Sequence, residues 1–285
     1  MNERVWRLSR RVLPIGVRTL VMGVVNITPD SFSDGGQFYS FDEALAQAEK
    51  LIDEGADILD IGGESTRPGS RPVSPEEEMR RIIPVIERLA GTTRIPLSVD
   101  TTKSLVARAA LEAGAEIVND ISALRFDYHV ADAAARAGAG LVLMHSRGTP
   151  ATMQRLPPAA DILSDVAQGL RRSIAMAERR GVGRESIVID PGIGFGKTAE
   201  QNLELIAKLD QLVQKFPEYP LLIGTSRKSF LGRLLDNAPA GERLHGTMAS
   251  VAAAVLRGAH LVRVHDVRAA VETVRVADAI KSVMR

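Results

Sequence analysis

The chain has 285 residues, of which 45% are apolar and 4% aromatic, so it is long enough to bury a large, mainly aliphatic core. Its 36 basic and 35 acidic side chains nearly cancel, which gives no electrostatic reason to expect a nucleic acid or an anionic membrane as a partner. The absence of cysteine excludes disulfides, thiolate metal sites and a cysteine nucleophile, and it suits a reducing compartment, so we expect a cytoplasmic protein. The longest apolar runs, such as 248–256, are shorter than the roughly 18 residues that a membrane-spanning helix needs.

The first residues form a basic segment with arginine at positions 4, 7, 10 and 11. This segment lacks a long apolar core and a small-residue cleavage site, so we predict no secretory signal and interpret it as a lead-in to the first strand. Short β-branched apolar runs then recur along the chain. They do not alternate with polar residues, which predicts strands covered on both faces, as in a parallel sheet. The predicted strands are 20–26, 58–61, 97–100, 117–119, 141–144, 187–190, 221–223 and 261–264.

Helical patterns lie between these strands, notably at 42–54, 75–90, 103–113 and 162–180. Pro75 follows Ser74, a suitable N-cap, and acidic residues occupy the first turn after it. Glycines at positions 55, 91, 114, 138 and 181 predict left-handed helix ends. Eight strand–helix repeats without a linker predict an α/β fold: a single (β/α)₈ TIM barrel over residues 1–285 with an N-terminal lead-in segment. A doubly wound open sheet is the alternative, because periodicity does not separate the two folds.

Polar residues stand at the end of every predicted strand, where the chemistry of a barrel of this kind is found. Any one of them could simply cap the following helix. Taken together, and with Asp100, Asn119 and Asp190 directly ending apolar runs, they favour a ligand site that binds a polar heterocycle. The strand-end residues are Asn26, Asp60, Asp100, Asn119, Asp120, His145, Asp190, Thr225 to Lys228, Arg263 and His265.

Two loops rich in Gly, Pro and Ser follow the first and second predicted strands, at 26–36 and 62–72. Each could be an ordinary surface connection. Each also carries a side chain useful to a ligand, Phe32 for stacking and Arg67 for an anion, and loops of this length are often functional lids.

The segment 190–197 resembles a phosphate-binding loop, but it fails the spacing of both nucleotide motifs, since Pro191 and Lys197 stand where glycine is required. Its glycines are interpreted as letting the backbone pass close to a flat ligand that Asp190 grips. Lys228 and Ser229 near a helix start could hold an anion or a carbonyl group. Alternation along a strand places Arg263 and His265 on one side, as in a diphosphate clamp. No two histidines have the spacing of zinc ligands.

With these segments in place, the chain closely resembles the dihydropteroate synthase family. The matching blocks, spread from the first strand to the last, are 26–36, 60–69, 98–101, 119–121, 143–145, 190–197, 226–230 and 263–267. The family joins p-aminobenzoate to 6-hydroxymethyl-7,8-dihydropterin diphosphate, and releases pyrophosphate and 7,8-dihydropteroate for folate synthesis. The resemblance therefore implies a Mg²⁺-dependent transferase with these two small-molecule substrates, and a homodimer.

The resemblance also implies roles for individual residues. Asp100, Lys228, Arg263 and His265 would be catalytic. The pterin diphosphate would contact Thr66, Asp100, Asn119, Met144, Asp190, Phe195, Lys228, Arg263 and His265, with Asn26 near the Mg²⁺ ion. The p-aminobenzoate would contact Phe32, Thr66, Arg67, Pro68, Phe195 and Ser229.

The chemistry implied is a substitution in which the leaving group is the difficult part. An aniline nitrogen is already unprotonated at neutral pH, so it needs no strong base, whereas cations must stabilise the departing diphosphate. We therefore predict a dissociative, SN1-like reaction in which Asp100 favours the pterin cation. Two alternatives remain open at this stage: a pterin-dependent methyltransferase acting on a corrinoid in the same barrel superfamily, and a pterin-binding paralogue without turnover.

Overall fold

A computed structural model describes residues 4–27, 37–65, 70 and 72–284 of the chain. Its main feature is a parallel sheet of eight strands, β3 to β10, preceded by a separate two-stranded sheet, β1 and β2. The strands are β1 (Arg4–Arg7), β2 (Val12–Ile15), β3 (Leu20–Asn26), β4 (Ile58–Gly62), β5 (Leu97–Asp100), β6 (Ile117–Asp120), β7 (Gly140–Met144), β8 (Ile187–Asp190), β9 (Leu222–Ile223) and β10 (Leu261–Val264).

The parallel sheet closes on itself. Its hydrogen-bonded order runs β8-β7-β6-β5-β4-β3-β10-β9, and β8 returns to the segment before β9 through a parallel bridge between Ile189 and Leu221. The Ile189 amide also donates to the Pro220 carbonyl at 3.0 Å. This closure confirms the predicted (β/α)₈ barrel and excludes the doubly wound open sheet.

Helices follow each strand of the barrel and cover its outer face. They are α1 (Gln37–Asp53), α2 (Pro75–Ala90), α3 (Ser104–Ala113), α4 (His129–Ala137), α5 (Ile162–Arg179), α6 (Ala199–Ala207), α7 (Leu209–Lys215), α8 (Ser229–Leu234), α9 (Leu244–Leu256) and α10 (Val267–Val283). Ser74 caps α2 as predicted, since its hydroxyl accepts from the Glu77 amide. One cap prediction is wrong: Gly91 is right-handed, with a φ of −81°, because the chain keeps turning after α2 and the amides of Thr92 and Thr93 both donate to the Leu89 carbonyl.

The N-terminal segment is more structured than the predicted lead-in. β1 and β2 pair antiparallel as a hairpin, and Trp6 in β1 is fully buried. The indole nitrogen of Trp6 donates to the Ser186 carbonyl at 3.0 Å, just before β8. Trp6 packs in one apolar cluster with the first inward residues of the barrel strands, so the hairpin plugs the amino end of the barrel. The mouth at the carboxyl end is therefore the open end. The cluster comprises Trp6, Leu8, Ile15, Leu20, Met22, Ile58, Ile117, Val142, Val188, Leu222 and Leu261.

No helix in the described part of the chain has both the length and the apolar composition to cross a membrane.

Candidate active site

The carboxyl ends of the barrel strands bring the predicted polar residues to one mouth. Arg263 of β10 lies at its centre, and its guanidinium donates to two carboxylates, from Nε to Asp60 Oδ2 at 2.6 Å and from Nη2 to Asp100 Oδ2 at 2.7 Å. The Asn119 amide donates to the same Asp60 oxygen at 2.9 Å. Residues from β4, β5, β6 and β10 thus share a single hydrogen-bonded network, although Arg263 and Asp60 are 203 positions apart in sequence.

Asp60 has a larger part in this network than we expected from the sequence, where it was only one of the strand-end residues. It is fully buried, whereas Asp100 beside it is 9% exposed. Burial of a carboxylate is unfavourable unless it is paired, and Arg263 supplies that pairing. The available signal was an aspartate inside an otherwise apolar run, Ile58-Leu-Asp-Ile.

Asp190, Lys228 and Phe195 form the adjoining side of the mouth. Asp190 ends β8, and its Oδ1 accepts from the Gly192 amide at 2.6 Å, which fixes the carboxylate at the start of the following loop. The Lys228 ammonium lies 4.1 Å from the centroid of the Phe195 ring, a cation–π contact. The predicted pterin-contacting residues of β8 and the segment after β9 therefore lie together.

An apolar wall borders these groups. Met144, at the end of β7, packs with Phe195, Ile121 and Met153 in a small buried cluster. Two of its members, Met144 and Phe195, are the side chains predicted to supply apolar contacts. A flat aromatic ligand at the mouth would meet apolar surface on this side and hydrogen-bonding groups on the other.

Two glycines of segment 190–197, Gly192 and Gly196, have a packing role that the sequence did not indicate. Gly192 has a φ of +68°, and a Cβ there would stand 1.9 Å from the His145 carbonyl oxygen. Gly196 has a φ of +70°, and a Cβ there would stand 2.5 Å from the Arg147 carbonyl oxygen. Both glycines thus let this loop pass close to the backbone that follows β7.

Lys197 stabilises that loop by hydrogen bonds to its carbonyl groups, a role that we did not predict from the sequence. Its buried ammonium donates to the carbonyls of Gly192 at 2.8 Å, Phe195 at 3.1 Å and His145 at 3.2 Å. Burial lowers the pKa of Lys197 to about 7. In sequence this lysine fitted only a failed nucleotide motif, and nothing in the pattern indicated that backbone oxygens would surround it.

His265 and Ser229 lie on the β9–β10 side. The His265 ring contacts Ser226 through Nδ1 and the serine hydroxyl, 3.0 Å apart, which fixes the ring just beyond Arg263. Burial, reinforced by Arg263, lowers the pKa of His265 to about 3, so the ring is neutral at physiological pH. Ser229 is the exposed first residue of α8. A neutral imidazole beside an arginine can donate a hydrogen bond to an anion but adds no full charge.

Asn26, the predicted metal contact, lies at the same mouth. Its Oδ1 is 3.7 Å, and Asp100 Oδ2 is 3.8 Å, from the point where a Cβ on Gly62 would stand. An amide oxygen is a hard donor of the kind Mg²⁺ accepts, and Mg²⁺ commonly uses one or two protein oxygens together with substrate phosphates. Asn26 therefore fits a shared site of that kind. Among the described residues no group of three or more acidic or histidine side chains forms a protein-only metal site.

Four of the predicted contacts, Phe32, Thr66, Arg67 and Pro68, lie outside the described residues. The described residues flanking the second loop are fixed by ion pairs: Lys103 donates to Glu64 at 2.5 Å and also to the buried Glu78. A second Glu64 oxygen accepts from the Val73 amide at 3.2 Å.

Burial dominates the electrostatics of the mouth. It raises the pKa of Asp100 to about 7 and that of Asp190 to about 6, and it lowers the pKa of Lys228 to about 8. Burial also acts to lower the pKa of Arg263, but Asp60 and Asp100 outweigh it and raise the pKa above its ordinary value. Arg263 therefore stays charged, while Asp100 and Lys228 change charge close to neutral pH.

These shifts predict a bell-shaped pH profile for kcat/KM with the pterin substrate, measured from about pH 5 to about pH 10. The value should fall below about pH 7, where Asp100 takes up a proton, and above about pH 8, where Lys228 loses one. Asp100→Asn should move the acid limb of the residual activity down to about pH 6, where Asp190 takes up a proton, and Lys228→Arg should move the alkaline limb to higher pH. An acid limb that survives unchanged in Asp100→Asn would contradict the assignment.

Comparison with known proteins identifies the family. The model of the pterin binding enzyme family matches residues 22–265. A dihydropteroate synthase from Synechocystis sp. is 49% identical over 265 residues, which cover 93% of this chain and 91% of that protein. The chain belongs to the dihydropteroate synthase family.

Solved structures of family members have the same fold. A Xanthomonas albilineans dihydropteroate synthase with 4-aminobenzoic acid matches with a TM-score of 0.90 and 44% identity, over 98% of this chain and 99% of that one. A structure from the same organism in complex with 7,8-dihydropteroate has a TM-score of 0.86 and 42% identity, over 97% and 99% of the two chains. The predicted family and transferase class are confirmed, and relatives of this family over nearly the full length disfavour the corrinoid methyltransferase.

Proposed function

We propose that this chain joins p-aminobenzoate to 6-hydroxymethyl-7,8-dihydropterin diphosphate at the carboxyl-end mouth of its barrel, and releases pyrophosphate and 7,8-dihydropteroate. The proposal rests mainly on the shared network in which Arg263 contacts Asp60 and Asp100, with Asp190 and Lys228 close enough to interact with it electrostatically. Acceptors for a heterocycle and cations for a phosphorylated leaving group lie within one site. Residues 1–285 would act as one pterin-binding domain in the cytoplasm.

The pterin would bind through complementary hydrogen bonds. Asp100 and Asp190 are acceptors when ionised, and Asn119 provides a carbonyl oxygen once its NH₂ group faces Asp60. The amino group and ring N–H of a pterin match such acceptors, and Lys228 would donate to the pterin carbonyl. A site of buried acceptors rejects analogues that lack the matching donors by large factors.

The diphosphate would lie toward Arg263 and His265. Arg263 has donors beyond the two that contact Asp60 and Asp100, and a planar guanidinium suits phosphate oxygens. Asn26 would contribute its amide oxygen to hold a Mg²⁺ ion. The ion would neutralise negative charge on the leaving group.

The p-aminobenzoate would occupy the side near Phe195 and the exposed Ser229 at the start of α8. Phe32, Thr66, Arg67 and Pro68 would complete this side, with the Arg67 guanidinium on the benzoate carboxylate. The aniline nitrogen would then point at the methylene carbon of the pterin.

The substitution would be dissociative. The C–O bond to the diphosphate breaks first, with its electron pair leaving on the diphosphate, and the dihydropterin ring delocalises the positive charge left on the methylene carbon. Asp100 in its ionised form stabilises that cation. The aniline nitrogen then forms the new C–N bond and releases its proton to solvent.

Isotope scrambling tests this order of steps. Pterin diphosphate labelled at the oxygen that bridges carbon and phosphorus should exchange that label into non-bridging positions on the enzyme without p-aminobenzoate, because the broken bond can re-form. Intact label position after prolonged incubation would contradict a cation with a measurable lifetime.

The activity itself is tested by pyrophosphate release from purified protein given the pterin diphosphate, p-aminobenzoate and Mg²⁺. Release should require all three and should yield 7,8-dihydropteroate in equal amount. Tight pterin binding without any release would instead identify a non-catalytic pterin-binding paralogue.

The homodimer is proposed on the outer surface of α9 and α10. Val276 is 62% exposed and Ile280 46% exposed on α10, and both line an apolar groove with Ala252 and Leu256 of α9. An exposed apolar groove between two helices is typical of a subunit interface. Light scattering should give about twice the chain mass of 30.7 kDa, and a mass equal to that of one chain would contradict the dimer.

A further inference from the structure

Asp60 occupies an unusual position in the mouth. It is the third residue of β4, fully buried, and a single oxygen, Oδ2, accepts both the Arg263 Nε–H at 2.6 Å and the Asn119 amide at 2.9 Å. Its other oxygen, Oδ1, is buried and has no hydrogen-bond partner among the described residues. One carboxylate thus connects the arginine proposed for the diphosphate with the amide proposed for the pterin.

Its contact with Asn119 determines which end of that amide faces the ligand. A carboxylate only accepts hydrogen bonds, so Asn119 must turn its NH₂ group toward Asp60. The amide carbonyl is then left for an N–H donor of the ligand. A neutral amide at position 60 would not impose this choice, because it can present either a donor or an acceptor.

Its contact with Arg263 determines how the arginine can respond to a substrate. Arg263 donates through Nε to the fully buried Asp60 and through Nη2 to Asp100, which is nearer the opening. A phosphate that enters from the opening would therefore meet the Nη side, paired with the more exposed Asp100, before the Nε side. The Arg263–Asp60 pair can persist while a phosphate replaces Asp100 as the partner of Nη2. The guanidinium then stays in place and keeps one buried partner.

We propose that Asp60 is a positioning residue for both halves of the pterin diphosphate. It orients the Asn119 carbonyl toward the pterin, and it holds Arg263 through Nε. When the diphosphate binds Arg263, it takes the place of Asp100, and Asp100 is then free to contact the pterin. This inference rests on the proposed function. Asp60 itself touches no substrate; it acts through Asn119 and Arg263.

Asp60→Asn tests the proposal, with Glu116→Gln as a matched control. Glu116 is also a buried carboxylate, 2% exposed and paired with Arg11 at 2.7 Å, but it lies at the opposite, amino end of the barrel. Asp60→Asn should lower the affinity for inorganic pyrophosphate, and for 6-hydroxymethyl-7,8-dihydropterin without its diphosphate, by about 10-fold each in calorimetry. It should lower kcat/KM for the pterin diphosphate by about 100-fold, as a displaced reacting group does, with KM for p-aminobenzoate unchanged.

The pH profile separates positioning from a merely structural role. The negative charge of Asp60 adds to burial in raising the pKa of Asp100. Asp60→Asn should therefore move the acid limb of kcat/KM to lower pH, whereas Glu116→Gln should leave it in place. Wild-type affinities and an unmoved acid limb in Asp60→Asn would overturn the proposal. The wild-type enzyme in the same assay tests the proposed function on its own.

A measurement on the wild-type protein keeps the proposal testable if Asp60→Asn does not fold. The NMR signal of the Arg263 Nε–H, assigned by its absence in Arg263→Lys, should exchange slowly with solvent both with and without pyrophosphate. Fast exchange after pyrophosphate is added would show that the Asp60 contact breaks, and would overturn the proposed division of roles.

Discussion

Asp190→Asn is expected to lower pterin affinity by about 10- to 100-fold, the range for losing a hydrogen bond to a charged partner. The carboxylate offers acceptors only, and asparagine would turn an N–H toward one of the pterin donors. The new side chain retains an oxygen for the Gly192 amide, which now donates to Asp190 at 2.6 Å, so the loop should keep its structure. Calorimetry with 6-hydroxymethyl-7,8-dihydropterin measures the loss.

The control for this variant is Asp57→Asn at the amino end of the barrel. Asp57 accepts from the Val21 amide at 2.9 Å and pairs with Arg18, so its loss removes a comparable set of contacts far from the mouth. Pterin affinity should be unchanged in Asp57→Asn. Equal losses in the two variants, or wild-type affinity in Asp190→Asn, would contradict a pterin contact at Asp190.

Lys228→Ala is expected to lower kcat/KM for the pterin diphosphate by about 10²- to 10³-fold, the range for removing one preorganised donor from an active site. The ammonium lies 4.1 Å from the Phe195 ring centroid. Its removal takes away the donor proposed for the pterin carbonyl and also one side of the Phe195 contact. Steady-state kinetics with both substrates varied measures the effect, and KM for p-aminobenzoate should rise as well because Phe195 borders both ligands.

The matched control is Lys208→Ala on the outer surface. Lys208 pairs with Glu204 at 2.7 Å and is 47% exposed, and exposed pairs of this kind contribute little to stability. Its kinetics should equal those of the wild type. A Lys228→Ala enzyme with wild-type kcat/KM would remove Lys228 from the proposed site.

The sequence was sufficient to predict the barrel and much of the mouth. Parallel strands bring their carboxyl ends to one side of a sheet, so polar residues that end apolar runs, such as Asp100, Asn119 and Asp190, could be assigned to a common site without knowledge of their contacts. Alternation along the last strand likewise placed Arg263 at the same end.

Other features depend on tertiary contacts that no local pattern encodes. The pairing of Arg263 with Asp60 exists because β10 and β4 both flank β3 in the closed barrel, and periodicity does not establish closure. The three carbonyls around Lys197 come from two different loops. The N-terminal hairpin has strands of only four residues, too short for a reliable alternation, so neither the hairpin nor the burial of Trp6 was predicted.

A crystal structure of the protein with the pterin diphosphate and Mg²⁺ would show whether the strand-end residues form the pterin site. We expect the pterin ring at the barrel mouth with Asp100, Asn119 and Asp190 on its nitrogen atoms, and the diphosphate on Arg263 and His265. A pterin bound elsewhere on the molecule, or a diphosphate pointing away from Arg263, would contradict it.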